Sequence, residues 1–275
     1  MSMSIPELER ALRALRLSGM TATLQPRALQ VAQGEMDFIE AFSWLVQDEL
    51  DRRRSRLLDR RFALSGLPER KDLKDFDWNY NPKVPKRDIL ELATMKFIDE
   101  REGALFIGSP GLGKSYIAKA LAQLAVQRGY TVFYREAHVL MEEINEAREL
   151  GEIRKYRAQM NSAELLVLDD LFLRKLPSNA GDEIADVLMS RYEKLSTIIT
   201  SNRVVEDWPK LLGEPKAAED LQTGTGHDCG YDNRAHSPTV WKEAIFAVGA
   251  MWSRKGLYFC CVAGWPQTPR TAIRN

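Results

Sequence analysis

The sequence predicts an α/β core, a parallel sheet covered by helices, behind a small all-helical N-terminal domain. Three observations carry this. From residue 104 to residue 202, short continuous apolar runs ("ALFIG", "TVFY", "LLVLDD", "STIITSN") alternate with stretches of helical spacing. Strands of that kind are buried on both faces, as in a parallel sheet under helices. Before residue 64 leucines and aromatics recur at helical spacing and no strand signal occurs. Between the two blocks, "SGLPERKDLKDFDWNYNPKVPK" is rich in proline, glycine and aspartate and reads as a linker. The expected division is a helical domain over 1–64, a linker over 65–87, a core over 88–220 and a divergent tail over 221–275.

The elements follow in order. Leu8, Leu12 and Leu15 mark a first helix that "SG" at 18–19 should end, with Gly19 as its C-cap. A second helix is expected from Thr23, with Pro26 in its first turn, to Gly34. Asp37 then caps a longer helix with Phe38, Phe42, Leu45 and Val46 on one face, running into "DRRRSRLLDRR". In the core, Asp88 should cap a helix carrying Ile89, Leu92, Ala93 and Phe97 inward. "ALFIG" is the first strand, and the helix after it turns Ile117, Ala118, Leu121 and Ala125 to one side until Gly129 stops it. "TVFY" (131–134) is the next strand; Ala137, Leu140, Met141 and Ile144 mark a helix, and another is expected around 182–194.

Composition bounds the class. The chain has 275 residues, 44% hydrophobic and 28% charged, enough for one principal core with an appendage. Formal net charge is zero, so any nucleic-acid surface has to come from local clustering. No apolar run approaches the ~20 residues of a membrane span, and "MSMSIPELER" lacks the apolar core of a signal peptide. Cys229, Cys260 and Cys261 are the only cysteines and give no disulfide framework, which favours a cytoplasmic location. His227 with Cys229 fits no zinc spacing, and His138 within a helix pattern reads as structural.

The chemistry begins at "GSPGLGKS", residues 108–115, which fits G-x-x-x-x-G-K-[ST] at every fixed position and sits between a strand and a helix. Glycines let backbone N–H groups curl round a phosphate, and the helix N-terminus adds positive potential. Gly108, Ser109, Pro110, Gly111, Leu112, Gly113, Lys114, Ser115 and Tyr116 are the expected nucleotide contacts, with Lys114 reaching the β/γ oxygens and the Ser115 hydroxyl offered to Mg²⁺. "LLVLDD" ends in two carboxylates: Asp169 to hold the Mg²⁺ shell and Asp170 to orient or deprotonate an attacking water. Asn202, just past the strand "TIITS", has an amide placed for the γ-phosphate or that water. Loop, acidic strand and polar-ended strand in this order are the layout of AAA+ and related ATPases. Neither an arginine lid, as in nucleotide kinases, nor an N-K-x-D guanine motif appears.

With the flanking segments "LRALRLSGMTATL", "DELDRRRSRLLDRR", "KDLKDFDW", "RDILELATMKFI", "RGYTVFY" and "SRYEKLSTIITSNRVVEDWPKLLGEP", the chain resembles the IstB-type ATP-binding helpers of bacterial insertion-sequence transposition, cousins of the DnaC-like helicase loaders, over roughly residues 8 to 220. The resemblance implies a P-loop AAA+ core that uses ATP and Mg²⁺. It also implies a homo-oligomer on double-stranded DNA that recruits or activates a transposase without itself cutting DNA. A helicase loader and a non-hydrolysing, ATP-controlled DNA-binding module are the alternatives. Arg52, Arg53, Arg54, Arg56, Arg60 and Arg61 form a dense cluster suited to DNA phosphates, with Arg52, Arg53, Arg56 and Arg60 as the named contacts. A solvated face paired with Glu49, Asp51 and Asp59 is the competing reading. Phe76, Trp78 and Tyr80 either pack near the adenine or a neighbouring subunit, or pin the linker to its own domain. After "LLGEPKAAEDL" the likeness stops: the family's Asp-Arg helix, whose arginine enters a neighbour's site, is replaced by "QTGTG", with Gly224 near the expected arginine. A change of reading frame near residue 221 accounts for that shift, and with it hydrolysis would be impaired.

Overall fold

The structure is a computed structural model that describes residues 3–81, 84–174, 176–177, 180–204 and 207–208, with the backbone of 258–262. It divides into two compact units, Met1–Ala63 and Leu64–Asn275. Residues 65–87, read as a linker, lie in the second.

In the first unit, helices α1 (Ile5–Ala14), α2 (Ser18–Ala32) and α3 (Phe38–Ser65) follow one another. The Ser4 backbone N–H and hydroxyl both donate to Glu7 Oε2, closing the start of α1. Asp37 Oδ1 accepts from the Glu40 N–H at 2.8 Å, so the expected cap of α3 is in place. Met20, Leu24 and Leu45 form a small core, with Leu12 and Leu17 packed on it.

One expectation fails here for a clear physical reason. Gly19 does not end α1, which stops at Ala14; it opens α2, five residues before the expected start at Thr23, so Pro26 falls inside the helix. The glycine is needed for close approach. A Cβ on Gly19 would lie 2.7 Å from Glu49 Cα and 2.8 Å from Asp48 O, where α3 crosses. The Gly19 N–H donates to the buried Glu49 carboxylate at 2.6 Å.

The second unit is built on a parallel sheet: β1 (Ala104–Gly108), β2 (Val132–Glu136), β3 (Leu165–Leu171), β4 (Ser196–Ser201) and β5 (Tyr258–Val262), in the order β2-β3-β4-β1-β5. Strands β1, β3 and β4 are buried along nearly their whole length, β1 and most of β3 by apolar residues and β4 with Ile198 and Ile199 between buried hydroxyls, which requires cover on both faces. Helix α6 (Lys114–Arg128) covers one face, with Ile117, Ala118, Leu121 and Ala125 wholly buried. On the other, Leu105, Phe133, Leu166, Leu168 and Ile199 meet Leu140, Met141 and Ile144 of α7 (Ala137–Glu149), Met160 of α8 (Ile153–Ser162), and Ile184 and Val187 of α9 (Ala180–Arg191). The α/β core expected from the sequence, a parallel sheet covered by helices with the phosphate loop between β1 and α6, is therefore present. β5 places five tail residues beside β1; the rest of 221–275 lies outside the described residues.

Two local differences remain. The helix expected from Asp88 is two: α4 (Lys86–Leu92) starts earlier, with Pro85 as its N-cap, and Met95 at φ 66° breaks the chain before α5 (Lys96–Asp99), which carries Phe97. Helix α8 corresponds to no expected element, although Ile153, Tyr156 and Met160 recur at i, i+3, i+7.

Candidate functional site

The sheet order makes the site. Neighbouring strands lie ~4.8 Å apart, so inserting β4 between β1 and β3 places the end of β4 between the phosphate loop and the two aspartates. At the carboxyl ends of the strands a cleft of about 410 Å³ is lined by Pro110, Gly111, Gly113, Lys114, Ser115, Tyr116, Asp170, Leu173 and Asn202. That is the usual place for a ligand in a parallel α/β sheet. Gly108 ends β1, and the loop from Ser109 leads from it into α6.

Lys114 is the cation of the cleft, and the residue is only 4% exposed. Its ammonium donates to Ser109 O at 2.9 Å and Asn202 Oδ1 at 2.7 Å, both neutral acceptors. Burial holds its pKa below the usual lysine value, against the pull of Asp170 and Asp169. A buried cation with only neutral oxygen partners among the described residues is a site for an anion, and a phosphate group fits it. Gly113 has φ 82°, and a Cβ there would meet Phe76 Cε2 at 2.7 Å. Phe76 packs on the loop, its ring centroid 5.5 Å from that of Tyr116 and 4.9 Å from that of Trp78. Of the two readings of these aromatics, this packing realises the second: Phe76 pins the segment to its own domain, while Tyr80 is exposed.

The two aspartates are treated differently. Between Leu168 and Leu171 the β3–β4 register slips, so three steps along β3 face two along β4, and Asp170 takes φ 54°. This bulge re-aims the side chains. Asp170 turns into the cleft, accepting from the Ser115 hydroxyl at 3.3 Å. Burial, then the Asp169 charge, raises its pKa above the ordinary carboxyl range. Asp169 turns the other way, is 1% exposed, and accepts from Tyr134 Oη at 2.6 Å, Thr200 Oγ1 at 2.5 Å and the Asp170 N–H at 3.1 Å. So the carboxylate beside the Ser115 hydroxyl is Asp170, whereas the sequence assigns Asp169 to the metal. Tyr134 and Thr200 carry no expectation from sequence. Their signal is a phenol and a hydroxyl in otherwise apolar strands, each of which needs a partner once buried.

The Ser115 hydroxyl and the carboxylates at the end of β3 suit Mg²⁺, which takes one or two carboxylates and completes its shell with phosphate and water. Among the described residues no cluster of three or more acidic, histidine or cysteine ligands exists. Most of the expected site residues therefore converge on the cleft. Ser109 meets it through its carbonyl on Lys114, while Gly108, Leu112 and Asp169 lie off its lining.

The family of IstB-like ATP binding proteins matches the chain over residues 10–231. This chain belongs to that family. It is 30% identical over 246 residues to an ATP-binding protein of an insertion sequence in Mycobacterium tuberculosis, covering 86% of this chain and 96% of that one. It is 30% identical over 200 residues to the ATP-binding protein of insertion sequence IS5376 from Geobacillus stearothermophilus, covering 73% of this chain and 80% of that one. Among solved structures, the DnaC helicase loader overlays with a TM-score of 0.43 at 18% identity, covering 65% of this chain and 91% of that one. Among the described residues no helix is long and apolar enough to cross a membrane.

The arginine cluster on α3 is partly engaged. Arg52 donates to Ser18 O at 2.7 Å and ties α3 to α2, while Arg53 donates to Glu49 Oε1 at 2.6 Å one turn back on α3 itself. Arg56 and Arg60 are exposed.

Proposed function

We propose that this chain is an ATP-dependent, double-stranded-DNA-binding helper of insertion-sequence transposition, which assembles on target DNA and recruits or activates the transposase. The observation that carries the nucleotide half is the buried Lys114 ammonium between Ser109 O and Asn202 Oδ1, at the head of α6. Membership of a family of insertion-sequence ATP-binding proteins supports the transposition half.

Mg²⁺-bound ATP, when present, would supply a phosphoanhydride bond whose hydrolysis, passing the γ-phosphoryl group to water and releasing ADP, would drive change in the protein. The chain's own residues have separate tasks in this reading. Backbone N–H groups of 111–115 and the N-terminus of α6 receive the β-phosphate. Lys114 would neutralise the β/γ oxygens, Ser115 and Asp169 at the end of β3 would serve the metal, Asp170 in the cleft would orient or deprotonate the attacking water, and Asn202 would orient the γ-phosphate or that water.

A non-hydrolysing, ATP-controlled DNA-binding module is the second reading. It is favoured by one observation: no arginine lines the cleft among the described residues. The expected arginine position, Gly224, lies outside them.

Equilibrium binding of a fluorescent ATP analogue, then steady-state turnover with and without duplex DNA, tests the proposal. Binding with DNA-stimulated turnover supports it; binding without turnover selects the non-hydrolysing reading, and no binding removes both. Co-purification with the transposase of the same element, rather than with a replicative helicase, separates a transposition helper from a loader.

A further inference from the structure

Asp170 and Asn202 sit at the ends of neighbouring strands, β3 and β4, where the ladder gives way to turns. We propose that Trp208 and Ser201 are positioning residues that bracket these two turns and set Asp170 against Asn202, for the γ-phosphate of a nucleotide and the water that attacks it. The inference rests on the nucleotide-site reading above and deepens it.

The bracket is a closed ring of contacts. Trp208 Nε1–H donates to Arg203 O at 3.2 Å, the Arg203 N–H donates to Ser201 Oγ at 3.0 Å, and the Ser201 hydroxyl donates to Leu171 O at 2.9 Å. Phe172 closes the ring, its side chain packed on Trp208 with centroids 5.5 Å apart and planes at 58°. Asn202 lies between Ser201 and Arg203, and Asp170 directly precedes Leu171, so both site residues hang from backbone that the bracket holds. Leu171, Phe172, Ser201 and Trp208 are all buried, so water does not compete for these contacts.

Two features separate this from ordinary core packing. Phe172 has φ 66°, a region a bulky L-residue enters only where its surroundings hold it. That turn is also closed by the Leu173 N–H, which donates to Asp170 O at 3.1 Å. Packing alone would be served by side chains with no buried indole N–H or hydroxyl to satisfy. Here those polar atoms reach backbone groups beside Asn202 and Asp170. Asn202 is fixed from the cleft side as well, where its Oδ1 accepts from Lys114 at 2.7 Å.

The test is the selectivity of the full chain for a γ-phosphate, measured as the affinity for non-hydrolysable AMP-PNP relative to ADP, both in Mg²⁺. The parent is compared with Ser201→Ala, Trp208→Phe and Trp208→Leu, and Asn202→Ala reports loss of the amide itself. The loop from Ser109 to Ser115 is not part of the bracket, so ADP affinity should stay at the parent's in the Ser201 and Trp208 variants. The AMP-PNP-to-ADP ratio should fall about fivefold in Ser201→Ala, the size of one hydrogen bond removed, and at least as far in Trp208→Leu. Trp208→Phe keeps a ring on Phe172 and loses the N–H donor, so its ratio should fall less than that of Trp208→Leu.

Trp208→Phe carries the test if Ser201→Ala and Trp208→Leu do not fold. An unchanged ratio in the folded bracket variants overturns the proposal, as does an equal fall in both affinities, the mark of residues that only support the fold. An unchanged ratio in Asn202→Ala overturns it too, since no γ-phosphate contact would remain to be positioned. A parent that binds neither nucleotide removes the site reading beneath the proposal, and the proposal with it.

Discussion

A lysine ammonium that has exchanged water for a backbone carbonyl and an amide oxygen remains short of negative charge, and this sets the size of the first prediction. Charge-assisted hydrogen bonds contribute about 1.5–3 kcal/mol each, so Lys114→Ala should weaken ATP binding by roughly 10–100-fold or more while the sheet stays folded. Titrating a fluorescent nucleotide against the variant checks this, and parent-like affinity would be inconsistent with an anion cradle at this residue. A second residue reads out pH. Glu49 titrates below the ordinary carboxyl range because Arg53 donates to it, with the Gly19 and Met20 N–H groups adding to that and burial opposing. Its folded pKa is the lower one, so its contribution to stability is complete above the unfolded value of about 4.3 and fades as pH falls through the folded value. The Gly19 amide proton, donated to this carboxylate, should report that titration by nuclear magnetic resonance with a midpoint below about 4.3; a midpoint above it would reverse the sign. Most of the cleft is visible in sequence at this scale, because the loop pattern fixes which residue follows which. Which of Asp169 and Asp170 lines the cleft is not. It depends on a bulge, and a bulge adds no residue type that a pattern can detect.

Among elements, the α2–α3 crossing shows why a glycine can be read correctly as special and given the wrong job. Gly19 looks like a helix stop from its neighbours in sequence, but the constraint comes from Glu49 and Asp48, about thirty residues away. Gly19→Ala should therefore destabilise the N-terminal unit by about 1–3 kcal/mol through overpacking against backbone. Chemical denaturation followed through the helical signal checks this; a neutral or stabilising effect would mean the helices can part without cost. The same crossing sorts the arginines. Arg52 and Arg53 are tied to Ser18 and Glu49, so replacing them would mix folding with DNA affinity. Arg56 and Arg60 give the cleaner experiment. If α3 meets DNA phosphates, replacing both with glutamine should lower the slope of log affinity against log salt by up to about 1.8, roughly 0.9 for each phosphate no longer neutralised. A slope unchanged from the parent would identify the cluster as a solvated face. Strands were the legible elements because a buried parallel strand needs an unbroken apolar run. Helix ends were less so: the break at Met95 lies in backbone conformation, and α8 shows only Ile153, Tyr156 and Met160 inward among polar residues.

For the whole molecule, the sheet order β2-β3-β4-β1-β5 brings Lys114, Asn202 and Asp170 to one mouth, and this convergence was legible once strand, loop and acidic strand were placed in sequence. Among the described residues it brings no arginine there. The charge that develops during phosphoryl transfer is neutralised in well-studied cases by an arginine worth roughly 10³–10⁵ in rate. Among the described residues Arg191 is buried within its own unit, donating to Met160 O, Ser196 O and Thr197 Oγ1, and cannot serve. Burial lowers its pKa to about 10, which still leaves it charged at neutral pH, committed to those oxygens. Arg203 follows Asn202 but does not line the cleft. The resemblance places the missing arginine just beyond residue 220, where this chain has "LQTGTG" and Gly224. The consequence is a separation of binding from turnover. This chain should bind Mg-ATP with its full cradle yet hydrolyse it slowly, even where duplex DNA raises the rate. A version carrying an Asp-Arg helix in place of residues 221–231 should bind equally well and turn over at least about tenfold faster, a small fraction of the effect of a well-placed arginine. Steady-state phosphate release from both, with and without duplex DNA, measures the difference. Equal and brisk rates would show that a charge from elsewhere completes the site, and that "LQTGTG", which lies inside the stretch the family match covers to residue 231, does not reach its chemistry.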